Sequence, residues 1–331
     1  MKKNKKISKP HSFYLFIAIS FVSLIFLLII PEFRNIKTTL FMLKYTGTIG
    51  LCALGQTFIM LAGGGGIDLS TGSVLSLSGV LLYFFSRQLN VWVSGVCCLI
   101  IGGILGAING VLVTYAGIPP FIATLGTMFL FSGVALGLTR GTAYAGFPQE
   151  FGVLGNGLIL GYIPVQLLIF LLIFLILFLV QRATRIGTYI MAVGSNEAAA
   201  YLLGLSPRKI RLILYIMNGF LSSLSGIIMA SWLLTARPDA GLGYELRAIA
   251  AVVLGGIDLK GGAGSLAATF LAVIFIVLVH IGLQLLNVNP VWQMGVIGCL
   301  LVIVAVLKNI TQKGERRALW KYFLQARAGL R

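Results

Sequence analysis

An all-α bundle of membrane-spanning helices is the fold this sequence predicts, on three observations. Of its 331 residues 58% are hydrophobic and only 10% are charged, where a soluble domain carries about 25% charged residues. The mean hydropathy is +1.01. The apolar residues fall in runs near the ~20 residues that carry a helix across a bilayer, among them 15–30, 91–113, 166–180 and 266–286. A β-barrel would show alternating segments of about ten residues, and these runs do not alternate. The chain reads as one membrane domain, 1–331, with no soluble domain.

About ten spans follow in order. The first, 13–30, comes after a Lys-rich tail (1–12) and ends in Ile29-Ile30-Pro31-Glu32. That is not a small-residue cleavage site, so the segment reads as an uncleaved span. Span two, 39–62, runs into Gly63-Gly64-Gly65-Gly66, and spans three to five are 70–86, 91–114 and 120–139. A loop rich in glycine and aromatics, 140–162, precedes span six at 163–181. Residues 182–210 are polar and basic, and span seven is 211–234. The short apolar segment 245–259 counts as span eight, followed by 265–286, 290–307 and a basic tail, 308–331. In that tail Leu319, Trp320, Phe323 and Leu324 share a helical face among basic residues, which suits an interfacial helix as well as a disordered tail.

The net charge of +17 belongs to topology and not to nucleic acid. Eighteen of the 25 Lys and Arg lie in the two tails, at 182–211 and at Lys260, so the positive-inside rule puts both termini in the cytoplasm. The four cysteines, Cys52, Cys97, Cys98 and Cys299, sit in apolar runs as small packing residues. No metal-ligand cluster is apparent.

With only eight acids, each can be placed. Glu32, Glu150, Asp239 and Glu245 fall in outer segments, Glu197 in the cytoplasmic loop, Glu315 in the tail, and Asp68 and Asp258 near the cytoplasmic side. The expectation is therefore that no acid lies inside the bundle, where an ion-coupled carrier places its ionisable groups. His280, inside a span, suits helix packing. Neither Gly63–Gly66 nor Gly261-Gly262-Ala263-Gly264 is followed by the Lys-Ser/Thr of a phosphate-binding loop. If the chain moves solute uphill, the energy comes from another subunit.

Two patterns stand out. Gly65-Gly66-Ile67-Asp68-Leu69 recurs as Gly255-Gly256-Ile257-Asp258-Leu259, each copy between apolar helices, which suggests a duplicated half. Asp68 or Ser70 suits an N-cap of the following helix, and pairing with a basic residue is the other reading. In the loop 182–210, Asn196-Glu197-Ala198-Ala199-Ala200 opens a short helix that Gly204 ends, with Pro207 starting the next element. It reads either as a connector or as a docking helix for a motor subunit.

These residues resemble the ribose/galactose/arabinose/autoinducer-type permeases of ABC importers. Gly64-Gly65-Gly66-Ile67-Asp68-Leu69-Ser70-Thr71-Gly72-Ser73-Val74 is similar to that family's GGIDLSVGSV signature. Ile118-Pro119-Pro120-Phe121-Ile122-Ala123-Thr124-Leu125-Gly126-Thr127-Met128 resembles its PAFIxTLGTM segment. Residues 194–204 resemble its GGNEEAARLxG coupling segment, and residues 243–256 its GYELDAIAAVVLGG. Ser195 stands for a Gly, Ala198 for a second Glu and Arg247 for an acid.

The resemblance implies a type II importer-like bundle in the bacterial inner membrane, and a non-catalytic subunit that binds no cofactor. It implies as partners a second permease subunit, an ABC ATPase that holds ATP and Mg, and an external binding protein that delivers a monosaccharide. Coupling to the ATPase falls to Asn196, Glu197, Ala198, Ala199 and Gly204, and the repeated motif to Gly65, Gly66, Asp68, Ser70, Gly255, Gly256 and Asp258. Gln56, Thr57, Asn109, Thr124, Thr127, Asn218, Ser222 and Gln284 are polar groups within spans, suited either to the sugar path or to contacts between helices. Tyr144, Phe147 and Tyr162 are candidates for touching the binding protein. A secondary sugar carrier acting alone is the alternative.

Overall fold

The computed structural model describes residues 11–304 and 306; residues 1–10 and 307–331, including the predicted interfacial helix, lie outside the described residues. Twelve helices run α1 (His11–Ile29), α2 (Ile36–Leu61), α3 (Thr71–Ser86), α4 (Val91–Thr114), α5 (Pro120–Thr139), α6 (Val153–Asn156), α7 (Val165–Ala183), α8 (Arg185–Ser195), α9 (Glu197–Leu202), α10 (Pro207–Leu233), α11 (Tyr244–Leu254) and α12 (Leu266–Leu285). A further one, α13 (Pro290–Val304), follows. Two small antiparallel ladders close one end: Tyr144–Ala145 pairs with Thr235–Ala236, and Leu158–Ile159 with Ile163–Pro164.

Among the described residues six helices, α1, α4, α5, α7, α10 and α12, are long and apolar enough to cross a membrane. The chain is an all-α polytopic membrane protein. Central α2 has 26 residues, about 39 Å, yet it carries Thr46, Thr48, Gln56 and Thr57 fully buried. It tolerates them because α7, α10, α11 and α12 enclose it, so from Thr46 to Leu61 its surface meets protein. The largest core cluster lies along α2, α10, α11 and α12.

Span eight is corrected. Helix α11 has 11 residues, about 16 Å, against a hydrocarbon core of about 30 Å. Helix α3, with 16 residues, is also short. Both begin inside the bundle. After α2 the chain folds back inward through 62–70 before α3 starts, and the segment 237–243 turns inward from the opposite end before α11 starts. The two helix starts meet where Gly72 packs on Gly241. A methyl group on either glycine would collide with the other's backbone, and the Gly241 N–H donates to Ser76 Oγ at 2.8 Å. Backbone this close is accessible only to glycine. Irregular backbone at this depth is tolerated because protein surrounds it.

The expectation that no acid lies inside the bundle is likewise overturned. Asp68 is 1% exposed, and the half-buried Glu245 carboxylate lies against Gly72. Hydropathy runs do not show where a chain folds back on itself, so the burial of neither acid is legible in them. The scarcity of interior acids therefore no longer argues against an ion-coupled carrier.

Candidate functional site

The return segment between α2 and α3 organises a closed polar cluster. The carboxyl of Asp68 accepts four hydrogen bonds. They come from Ser70 N at 2.8 Å, Ser70 Oγ at 2.7 Å, Asn109 Nδ2 at 3.4 Å and Asn218 Nδ2 at 2.9 Å. Asn109 belongs to α4 and Asn218 to α10, so one side chain ties three elements together. Gln56 of α2 accepts the Asp68 amide at 3.3 Å, Thr124 Oγ1 donates to the Ile67 carbonyl at 3.2 Å, and Thr127 Oγ1 donates to Asn109 Oδ1 at 2.6 Å. Ser70 stands at the N-cap of α3 but makes no side-chain cap bond.

Five of the eight path candidates, Gln56, Asn109, Thr124, Thr127 and Asn218, thus meet at one place. Their polar atoms turn on one another and on the 67–71 segment, except Gln56 Nε2 and Asn218 Oδ1, which are buried without a hydrogen-bond partner. Ser222 bonds back to the Asn218 carbonyl, Thr57 faces Thr269 of α12, and Gln284 is exposed near the end of α12. A cavity of about 320 Å³ lies beneath the cluster, lined by Gly63, Gly64, Gly66, Tyr215, Arg208 and Arg211, and none of the eight lines it.

The loop 184–206 folds as two helices at this end. Asn196 Oδ1 accepts the Ala199 amide at 3.0 Å and caps α9, while Gly204 takes the left-handed conformation with φ 84° and Pro207 opens α10. The outer face of this loop presents Tyr201, Leu202 and Leu203, 70%, 85% and 80% exposed. Its inner face is tied to residues that flank both copies of the repeat. Arg211 Nη2 meets Glu197 Oε2 at 2.8 Å, and Arg211 Nε donates to the Ala62 carbonyl at the end of α2 at 3.2 Å. Ser195 Oγ donates to the Gly262 carbonyl at 3.3 Å, and Gly262 N donates to the Leu61 carbonyl at 2.8 Å. Gly194 sits against Leu61 and Gly262, where a side chain would collide.

The two copies of the pentapeptide differ in use. Asp68 lies inside the bundle, whereas Asp258 stays at this end, where its Oδ1 accepts the Lys260 amide at 3.0 Å within a tight turn. Gly65, Gly66, Gly255 and Gly256 flank these turns. Of the loop aromatics, Phe147 is buried against Tyr83 and Phe151, Tyr144 packs at a tilt against Tyr83, and Tyr162 is exposed. Sequence reasoning missed Arg211, Glu245, Ser76 and Tyr215. Arg211 stands beside Arg208 and Lys209 in the first turns of α10, and nothing in the sequence sets it apart from them. Among the described residues no group of three or more His, Cys, Asp or Glu could hold a metal ion.

Broken helices meeting inside a bundle, and a loop helix tied to the break, define a multi-pass membrane transport subunit. The family model described as branched-chain amino acid transport system / permease component matches residues 38–305, and the chain belongs to that family, among the permeases of ABC importers of the inner membrane. It is 38% identical over 300 residues to a ribose import permease protein of Haemophilus influenzae, covering 88% of this chain and 92% of the relative. A ribose import permease protein of Bacillus subtilis is 38% identical over 283 residues, with 84% and 86% covered. An autoinducer 2 import system permease protein of Klebsiella pneumoniae is 32% identical over 299 residues, with 88% and 89% covered. No solved structure matches this chain.

Proposed function

We propose that this chain forms, with a second permease subunit, the translocation path of an importer for a monosaccharide of the ribose type. A binding protein delivers the sugar and a separate ATPase drives its movement. In this reading both termini and the loop carrying α8 and α9 are cytoplasmic, and about ten segments enter the membrane, with α3 and α11 as half-helices. The single observation that carries the coupling is the linkage of α9 through Glu197 and Arg211 to Ala62, directly before the break that holds Asp68. The apolar face at Tyr201, Leu202 and Leu203 is the docking surface for the motor. A displacement of α9 pulls on the end of α2 and on the 260–262 turn together, and so acts on both half-helices.

Co-purification of the ATPase with the chain, and sugar uptake by the complete importer, test this reading. Gly204→Arg and Glu197→Arg are expected to lower both; unchanged association and uptake in both variants would refute the docking role. A carrier acting alone is the rival reading. Sugar uptake into proteoliposomes that hold the chain without an ATPase would establish that reading instead.

A further inference from the structure

At the end of the bundle opposite the docking loop, a cleft of about 310 Å³ opens between α2, α10 and the segment 237–240. Its wall is aromatic. The rings of Phe41, Tyr45 and Trp232 pack on one another with centroids 5.2–5.3 Å apart, and the Tyr45 and Trp232 planes stand at 82°. Behind Tyr45 lies His280 at 5.4 Å, 6% exposed, with Nδ1 making no hydrogen bond among the described residues. Across the cleft Arg237 and Asp239 form a planar fork, Nε to Oδ1 at 3.0 Å and Nη2 to Oδ2 at 2.7 Å. Both members of that fork are about half exposed, 49% and 53%.

The chemistry of these groups selects a ligand. A wall of rings takes an apolar, flat surface. The fork presents donors and acceptors side by side while its own charges cancel, which suits a polyol; the Lys44 ammonium, 5.8 Å from the Trp232 ring centroid, adds a positive charge and a donor beside that ring. The hydrogen bond from Arg237 holds the Asp239 carboxyl below the usual carboxylate range, so the acceptor oxygens stay available at neutral pH. The cleft volume is at the small end of the roughly 300–1,000 Å³ of small-molecule pockets, which fits one sugar ring. An interfacial aromatic belt presents single rings to headgroups; here three rings converge on one cleft that a charged fork closes.

We propose that this cleft is a monosaccharide subsite on the outer side of the permease, with the C–H face of one neutral sugar ring on Tyr45 and Trp232 and two adjacent hydroxyls on the Arg237–Asp239 fork. It rests on the importer reading above and gives the permease its own contact with sugar after release from the binding protein.

The test uses the full-length chain in lipid nanodiscs, with saturation-transfer NMR of D-ribose, D-galactose and L-arabinose as probes, beside uptake of the same sugars by the complete importer. The expected result is binding of at least one of them by the unaltered chain. Trp232→Ala and Asp239→Asn should each weaken that binding about tenfold, and Trp232→Phe should retain it. Asp239 is half exposed, so its variant keeps the fold if Trp232→Ala does not. Undiminished binding in both variants would overturn the proposal. So would an unaltered chain that binds none of the sugars while the complete importer takes one up, and the importer reading would then stand without the subsite. A complete importer that takes up no monosaccharide, beside a chain that binds one through Trp232 and Asp239, would overturn the importer reading and leave the subsite.

Discussion

Replacing Asp68 removes an acceptor that holds three elements together, and the cost can be worked from its partners. In Asp68→Ala, Asn109 Nδ2 keeps its bond to Ser70 Oγ at 2.7 Å, and Asn218 Nδ2 keeps only the longer one to Thr71 Oγ1 at 3.2 Å. The Ser70 amide and the Ser70 hydroxyl lose the acceptor they share. Each buried donor left without a partner costs about 1–3 kcal/mol, so two such groups give a loss of about 2–6 kcal/mol. Asp68→Asn should cost less. Its remaining oxygen still accepts from Ser70, and its new amide can donate to Asn218 Oδ1, which is buried and unbonded, once the Asn218 amide is turned over. The further exchange to Asp68→Asn with Asn218→Asp restores one carboxyl and one amide, and is expected to recover most of the stability. The assay is denaturant unfolding of the purified chain in detergent, read by circular dichroism. An Asp68→Ala variant within about 0.5 kcal/mol of the unaltered chain, the spread of ordinary surface substitutions, would refute the argument that this carboxyl fastens the break.

The Arg211–Glu197 pair predicts a different signature. The Arg211 side chain is 15% exposed and Glu197 52%, so a second Arg set against that enclosed guanidinium costs more than the ~0.2–1 kcal/mol of a surface pair. Glu197→Arg should lower both the melting temperature and the sugar moved per ATP hydrolysed, and the exchange Glu197→Arg with Arg211→Glu should restore part of both. Gly72→Val or Gly241→Val drives a side chain into the facing backbone and should abolish assembly of a folded chain, measured by gel-filtration yield, whereas Gly126→Val, in open space on α5, should fold normally. If the exposed face of α9 docks the motor as proposed, Tyr201→Ala with Leu202→Ala should reduce ATPase co-purification without changing the thermal stability of the isolated chain.

Much of the secondary structure was legible because its causes are local. Asn196 as a cap, Gly204 in the left-handed conformation and Pro207 at a helix start are each fixed by a single residue's chemistry, and the apolar runs mark α1, α4, α5, α7, α10 and α12 through lipid solubility alone. The candidate site was legible in kind but not in arrangement. Gln56, Asn109, Thr124, Thr127 and Asn218 could be picked out as polar groups in apolar helices. That they close on Asp68 and on each other, and leave the cavity beneath to other residues, depends on where α4, α5 and α10 cross α2.

The acids show the limit most sharply. Two identical pentapeptides have the same local propensities, yet Asp68 is buried with four donors around it while Asp258 turns a loop at the bundle's end. What differs is what lies alongside: Asn109 and Asn218 converge on the first copy, and the 194–195 segment packs beside the second. The sequence by itself determined a lipid-embedded helical bundle with a capped helix in its basic loop, because transfer free energy and capping act on neighbouring residues. Only the tertiary structure decided that the starts of α3 and α11 meet at Gly72 and Gly241, and that Arg211 joins the loop 184–206 to the end of α2. Those contacts link residues as far apart as 72 and 241, and no local preference encodes them.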